Sequence, residues 1–541
     1  MKPQLAMIEG PPAPTGIPMN LVEVLTRAAE IPGPSVRFVR ADGTESALSY
    51  ADLLDRAARV LHGLRAAGAR PGDRLLVASD SGRDLIVGTW AGILGTMPVI
   101  PTDLSTRPDL RTLLRVAAPR WVLTGHHGDH VAFEPENTVG RPVGTVTDLE
   151  RGPADTQWHN ARPDDPALIA MTAGTTGSPK AVLLTHGALT ARSAATIADN
   201  RLGAGTTTVN WMPVDHVGGL VMFHLRDMQA GGVQVHVDRA VVLGDPLRLL
   251  DLVDRHRAAI TWATTSALDL IAGHAEAASR SWDLSCLTYV MNGGEPVRAR
   301  TVRRFTEALA RFGMPPTAVR PGWGMSETAG GVVDLRVDAR TLPAESRWTP
   351  VGRPHSGVGV RVVDDNGAVV AEGVVGRLQV RTPTGPPKYA DGNHPLTPDG
   401  WIDTGDLAFV EDGSLTVTGS TADAIVVDGV LHHAHELEST VSRLPFVDAT
   451  QTAAALLIGA DGGSELVVAY RPAAAVPDAE QRIRAAVEAA HGLTVHRVVP
   501  VPAGRLPRTR TGKPQRARLA ALLADWPAAT SEGSVWTSSP N

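Results

Sequence analysis

Residues 171–186 read MTAGTTGSPKAVLLTH. Within them Gly174, Thr175, Thr176, Gly177 and Ser178 run into Pro179 and Lys180, so small residues, hydroxyls, backbone N–H groups and one ammonium share a single turn. Glycine lets a backbone approach an anion closely, threonine hydroxyls donate hydrogen bonds, and a lysine neutralises charge as phosphates shift. A Gly/Thr loop by itself is more often an ordinary turn, so the phosphate reading depends on what surrounds it. Ala167 to Met171 reads as a short buried strand before the loop, and Ala181 to Leu184 as a second one after it. The nucleotide-binding P-loop is excluded, because the G-x-x-x-x-G-K-[ST] spacing is absent and no helical pattern starts at the lysine.

Outward from that hairpin, helix-period and strand-like segments alternate. Tyr50 to Ala67 carries apolar residues at helical spacing, and Arg74 to Ser79 is a short apolar strand. The rhythm returns with a helix at Leu247 to His256 and strands at Ala259 to Ala263 and Leu287 to Met291. It predicts α/β layers with parallel sheets, two of them over about the first 330 residues. From Val351 to Val417 the chain turns β-rich, with hairpin signals at Asn366-Gly367 and Asp412-Gly413, and reads as a small barrel or sheet. A mixed segment follows, with helices expected at Glu480 to Ala490 and Arg516 to Leu523, and the polar stretch 527–541 reads as a disordered tail. No internal repeat is found.

A chain of 541 residues is too long for one core and implies about three to four folding units. Its 43% hydrophobic and 20% charged content is that of an ordinary globular protein, and the net charge of −6, with no basic stripe, speaks against a nucleic-acid partner. The one cysteine, Cys286, cannot form an internal disulfide, which fits a cytoplasmic protein. The Pro- and Gly-rich N-terminus lacks the apolar run of a signal peptide. Leu85 to Pro101 is short for a membrane span and broken by Gly and Pro, so it reads as a buried helix running into a strand, and no membrane partner is expected.

Seven short motifs in order now carry a resemblance over nearly the whole chain. They are MTAGTTGSPKAVLLTH, PVDHVGG, NGGEPV, GWGMSET, DTGDLAFVEDGSLTVTG, VVDGVLHHAHELE and LPRTRTGKPQR. Together they resemble the core motifs of the adenylate-forming superfamily: acyl-CoA synthetases, fatty acyl-AMP ligases, luciferases and the adenylation domains of nonribosomal peptide synthetases. The wording around His216 and Gly429 is most similar to standalone or starter acyl-AMP ligases of natural-product pathways. The resemblance implies a large N-terminal domain of two α/β layers plus a small β-barrel (1–419, with the β-rich part at about 351–419). A small mobile α+β C-terminal domain would follow at 420–526. It also implies ATP and Mg²⁺ as cofactors, a small-molecule carboxylic acid as substrate, and acyl-AMP and pyrophosphate as products.

The same resemblance assigns residues. Thr172, Gly174, Thr175, Thr176, Gly177 and Lys180 would cradle the β- and γ-phosphates, a task of positioning and charge stabilisation. In GWGMSET, Trp323 would stack on adenine, Ser326 would touch phosphate and Glu327 would ligate Mg²⁺, a hard cation that prefers oxygen. The backbone of Gly293, Gly294, Glu295 and Pro296 would border the adenine, and Asp406 would accept both ribose hydroxyls. Lys513 would come from the mobile domain to bridge the carboxylate and the α-phosphate. Outside these motifs, Glu327 reads as a surface carboxylate, Asp406 as a turn cap and Lys513 as part of a solvated basic face.

The acyl pocket falls at His216, Val217 and Gly218, with Phe223, His224, Trp262 and Met325 to complete a mostly apolar wall, although each is as readily plain core. An amino-acid pocket usually opens on an aspartate for the substrate ammonium. Asp215 is the only acidic candidate, and its neighbour matches the acyl-ligase histidine, which points to an acid without an α-amino group. His432, His433 and His435 do not form a metal site in this reading, because consecutive histidines rarely point at one ion. The hinge departs from the family pattern G-R-x-K-D-x-I: Gly419 to Ile425 reads GSTADAI, without either basic residue. Acyl transfer to a carrier-protein or CoA thiol, or to an amine, is therefore left open. Two other readings stand beside it: activation of nitrite or an acid for N–N or amide bond formation without a thiol step, and a non-catalytic nucleotide-binding homologue. Retention of Lys180, Glu327, Asp406 and Lys513 speaks against the last.

Overall fold

The computed structural model describes residues 4–33, 35–106, 108–126, 140–172, 179–344, 346, 348–383, 385, 387–427, 430–458, 464–502, 504–508 and 514–524. These divide into two compact units, with the chain passing from one to the other between Thr421 and Ala422.

The larger unit holds three sheets. The seven-stranded sheet runs in the order Lys388–Tyr389, Ala181–Thr185, Pro166–Met171, Val99–Asp103, Leu75–Ser79, Trp121–Thr124, Arg141–Thr145. Its pairs are parallel from Pro166–Met171 onward and antiparallel at the other edge. Leu75–Ser79 is buried at every position, as a central strand covered on both faces must be. The Tyr50–Ala66 helix begins with a reciprocal capping box between Ser49 and Asp52, which fixes its start after the polar Glu45–Leu48 strand. Leu85 to Pro101 forms the end of one buried helix, Gly82–Leu94, and the start of the strand Val99–Asp103. No helix among the described residues is long and apolar enough to cross a membrane.

The nine-stranded sheet is ordered Arg353–Pro354, Gly330–Asp334, Val319–Met325, Tyr289–Asn292, Ile260–Trp262, Thr207–Asn210, Val233–Val237, Val36–Val39, Glu45–Leu48. Its interior is parallel and its edges antiparallel. The third sheet is antiparallel throughout, ordered Met7–Glu9, Gly359–Val363, Gly376–Arg381, Ile402–Glu411, Ser414–Ser420. Both hairpin signals lie in turns there, with Asp412 and Gly413 at positive φ.

The smaller unit carries a two-stranded ladder, Ala424–Val427 with Val430–His433, and a three-stranded sheet of Val447–Ile458, Ser464–Pro472 and Arg497–Pro500. Ala434–Val441 and Ala479–His491 pack on it through Leu437, Ile483 and Val487. At its centre the buried guanidinium of Arg516 pairs with Asp423 and Glu438, both at 2.7 Å, and Glu438 also accepts the Ala454 N–H at 2.9 Å. Each charge in this triad therefore has a partner, the condition under which buried ions are tolerated.

Candidate active site

The residues on either side of the Gly/Thr run are tied to each other. Met171 pairs with Ala181, the Thr172 N–H donates to the Lys180 carbonyl at 2.8 Å, and the Lys180 N–H donates to Thr172 Oγ1 at 3.0 Å. The main chain on either side of the loop is thus fixed, while the Lys180 side chain is exposed. Gly174, Thr175, Thr176 and Gly177 lie outside the described residues, and so does Lys513.

Lys180 and Glu327 meet on a residue that the sequence reading missed. Tyr389 pairs with Val182 on the strand that follows Lys180, and its neighbour Ala390 donates its N–H to the Ala181 carbonyl. The Lys180 ammonium lies 4.7 Å from the centroid of the Tyr389 ring. At the other end of the ring the Tyr389 hydroxyl donates to Glu327 Oε1 at 2.9 Å. Burial and the adjacent Glu327 carboxylate raise the phenol well above its ordinary value, so it stays a donor. Glu327 sits in the 3₁₀ turn Ser326–Thr328 directly after the strand Val319–Met325. The buried Thr328 hydroxyl locks that turn, accepting the Met325 N–H at 3.1 Å and reaching the Gly330 carbonyl at 2.7 Å. No motif spacing marks Tyr389; its signal is only that it is one of four tyrosines in the chain.

Trp323 and Asp406 are also brought together. The Trp323 indole N–H donates to Asp406 Oδ2 at 2.8 Å, across from the nine-stranded sheet to the antiparallel one. A register shift between Trp323 and Gly324 sits at this contact, as bulges that aim side chains often do. In NGGEPV, Gly294 takes φ +79°, a conformation that favours glycine. The Glu295 carboxylate turns away to the Thr265–Ala277 helix, where Oε2 accepts the Ser266 N–H at 3.0 Å, leaving Gly293, Gly294 and Pro296 as plain backbone.

The PVDHVGG loop is held from two sides. Asp215, only 5% exposed, accepts the Asp103 N–H at 3.0 Å, and the half-buried Asp103 carboxyl is pushed up to about 6 by desolvation and the nearby Asp215 charge. His216 caps the next turn through Nδ1, which accepts the Gly218 N–H at 3.0 Å. A Cβ on Gly219 would run into the Pro213 and Met212 carbonyl oxygens, so glycine is needed there for this turn to close, while one on Gly218 would have to displace the Met212 side chain. Val217 is buried, Met325 half-buried, Phe223 fully buried beneath the Arg226 guanidinium, and Trp262 stacked on Trp211 at 4.8 Å.

Behind the π-helical turn Leu220–Leu225 lies a buried polar network centred on Gln234. Trp90 donates to His224 Nε2 at 2.8 Å, which makes Nδ1 the protonated nitrogen, and Nδ1 donates to Gln234 Oε1 at 2.7 Å. His236 Nε2 donates to the same oxygen at 2.9 Å. The Gln234 amide donates to Tyr50 Oη at 2.9 Å and to the His224 carbonyl at 3.0 Å, and the Tyr50 hydroxyl donates to the Gly232 carbonyl at 2.7 Å. Burial lowers His224 to about 4 and His236 well below its ordinary value. Among the described residues no group of three His, Cys, Asp or Glu side chains is arranged to hold a metal ion.

The profile of the AMP-binding enzyme family matches residues 26–389, from the first helix to Tyr389. The chain belongs to that family. This AMP-binding enzyme is 30% identical over 527 residues to the nonribosomal peptide synthetase ucdA of Aspergillus ustus, an alignment covering 87% of this chain and 55% of ucdA. The chain thus spans about half the length of the curated relatives it matches. Among solved structures it is similar to a multidomain structure from a keto acid-selecting NRPS module, with TM-score 0.88, 30% identity, and coverage of 96% of this chain and 47% of that one. It is also similar to McyG A-PCP complexed with phenylalanyl-adenylate, with TM-score 0.87, 28% identity, and coverage of 96% and 85%.

Proposed function

We propose that this AMP-binding enzyme activates a carboxylic acid with ATP, forming an acyl-adenylate and pyrophosphate in natural-product synthesis. The observation that carries the reading is the placement of Lys180 and Glu327 on the two ends of one tyrosine, beside a loop of phosphate-cradle composition. The donor set fits the ligands. Glu327 offers a hard carboxylate whose Oε1 is already oriented by a hydroxyl, and Lys180 offers an exposed ammonium free to leave a ring face for phosphate. Magnesium bound with the nucleotide would be held at Glu327 and would neutralise phosphate charge.

The remaining work falls to the chain. Lys180 would stabilise charge as pyrophosphate departs, Trp323 would stack on the adenine, and Asp406, already oriented by the Trp323 N–H, would accept ribose hydroxyls. Gly293 and Gly294 would let the base lie flat against backbone. Lys513 would contribute its charge to the transition state. For the acid, we infer an α-keto or other acid without an α-amino group. Asp215 supports this in part, being buried with its Oδ2 taken up by the Asp103 amide. The similarity to the keto acid-selecting module points the same way. Transfer to a carrier-protein or CoA thiol, or to an amine, would follow.

Pyrophosphate release tests this across α-keto, aryl, short and long acids, α-amino acids and nitrite, with Lys513→Ala as control. Release driven by an α-keto or aryl acid is expected, falling by orders of magnitude in Lys513→Ala with ATP binding kept. Release with an α-amino acid alone would overturn the substrate class, and release only with nitrite and an amine would replace the reaction. Silence throughout, with ATP still bound, would indicate a non-catalytic homologue.

A further inference from the structure

The nucleotide site presents a problem of opposite charges. An ammonium and a carboxylate brought into one site pair with each other unless something intervenes, and a closed Lys–Glu pair is available neither to phosphate nor to a cation. Here each charge binds a different part of the same phenol: the Lys180 ammonium the ring face, Glu327 Oε1 the hydroxyl. A ring face holds a cation weakly and can be exchanged for phosphate, whereas the hydroxyl engages only one of the two Glu327 carboxylate oxygens.

Tyr389 is built to hold this position. It is 6% exposed, it is fixed by strand pairing to Val182, and its ring packs into the main core. It also joins two layers, since Tyr389 belongs to the seven-stranded sheet and Glu327 follows a strand of the nine-stranded one. We propose that Tyr389 is a positioning residue of the nucleotide site, orienting Glu327 for a divalent cation through its hydroxyl while its ring keeps Lys180 from pairing with that carboxylate. This rests on the adenylation reading.

The test uses the full chain, a non-hydrolysable ATP analogue, and Mn²⁺ as a probe read by electron paramagnetic resonance. Tyr389→Phe keeps the ring and removes the hydroxyl. Mn²⁺ affinity in the presence of the analogue should weaken about ten- to hundredfold, the usual effect of losing a hydrogen bond to a metal ligand. Affinity for the analogue in EDTA should change less than about twofold, because the ring still holds Lys180. Tyr389→Leu should lose both. In a Glu327→Gln background Tyr389→Phe should cost nothing further, since the hydroxyl acts through that carboxylate. Unchanged Mn²⁺ affinity in Tyr389→Phe, or losses that add in the double variant, would overturn the proposal. A wild-type chain that binds no Mn²⁺ with the analogue would instead bring down the adenylation reading itself, and this assignment with it.

Discussion

Around Gln234 each hydrogen-bonding group of the amide has its partner inside the protein, whereas around Tyr389 an exposed ammonium rests on a ring and a carboxylate has one oxygen engaged. Both clusters use a tyrosine hydroxyl as a connector, and both lie in the larger unit. They differ in what completes them. The Gln234 network is closed by its own chain, with both histidines neutral, so it holds the π-helical turn beside His216 in one arrangement. In the adenylation reading proposed above, the Tyr389 cluster would be completed by ligand atoms, its groups exchanging partners on binding. The closed network should therefore answer for stability and the open cluster for ligand binding.

The largest effect should come from breaking the closed side. Gln234→Leu leaves the His224 Nδ1–H and the His236 Nε2–H without acceptors in a region without water access. At about 1–3 kcal/mol for each stranded group, a loss of roughly 4 kcal/mol is expected in urea unfolding, read as a lower midpoint at constant slope. A shift near zero would mean that the network carries no stability.

The same contrast governs how much was legible from the residues alone. Strands such as Ala181–Thr185 and helices such as Tyr50–Ala66 are fixed by local periodicity and caps, and they appear where the pattern puts them. Trp323 and Asp406 were singled out from short motifs, and the structure brings them into contact, a pairing that neither motif foretells. Tyr389 and Gln234 were not, because their partners lie 62 residues away at Glu327 and 184 away at Tyr50. Strand order alone brings these together, and strand order is set by tertiary packing rather than by neighbours in sequence. His224, considered for the pocket wall, is turned instead into the Gln234 network, where its ring has two polar partners that only the sheet supplies.

A smaller effect follows from pH. His224 is held neutral in the fold, with a value of about 4 against an ordinary 6.5. Between these values the unfolded chain binds a proton that the folded one refuses, so stability falls as pH drops from 6.5 towards 4, and this group adds nothing further below 4. The contribution is roughly 3 kcal/mol at most, with His236 acting in the same direction. Stability measured across that window should therefore decline. His224→Gln, which keeps an acceptor for Trp90 and a donor for Gln234, should reduce the slope by about one proton. An unchanged slope would show that His224 titrates normally and that the network is open after all.

The smallest effect sharpens the other side. Trp323→Phe keeps an aromatic face for the adenine proposed to lie there and removes the N–H that Asp406 Oδ2 accepts. Two outcomes compete. If the indole competes with ribose for the carboxylate, its removal should tighten ATP binding. A carboxylate has about four lone-pair sites on its two oxygens, however, so Oδ2 can keep the indole and still accept a ribose hydroxyl. The indole then serves to orient, and its loss should weaken binding by about 1 kcal/mol, roughly fivefold in the KM for ATP, with kcat nearly unchanged. A ribose analogue separates the two accounts. With 3′-deoxy-ATP the Trp323→Phe penalty should shrink if the indole acts by orienting Asp406 towards that hydroxyl. It should stay constant if the indole touches only the base, and in that case Asp406 would no longer be the ribose partner.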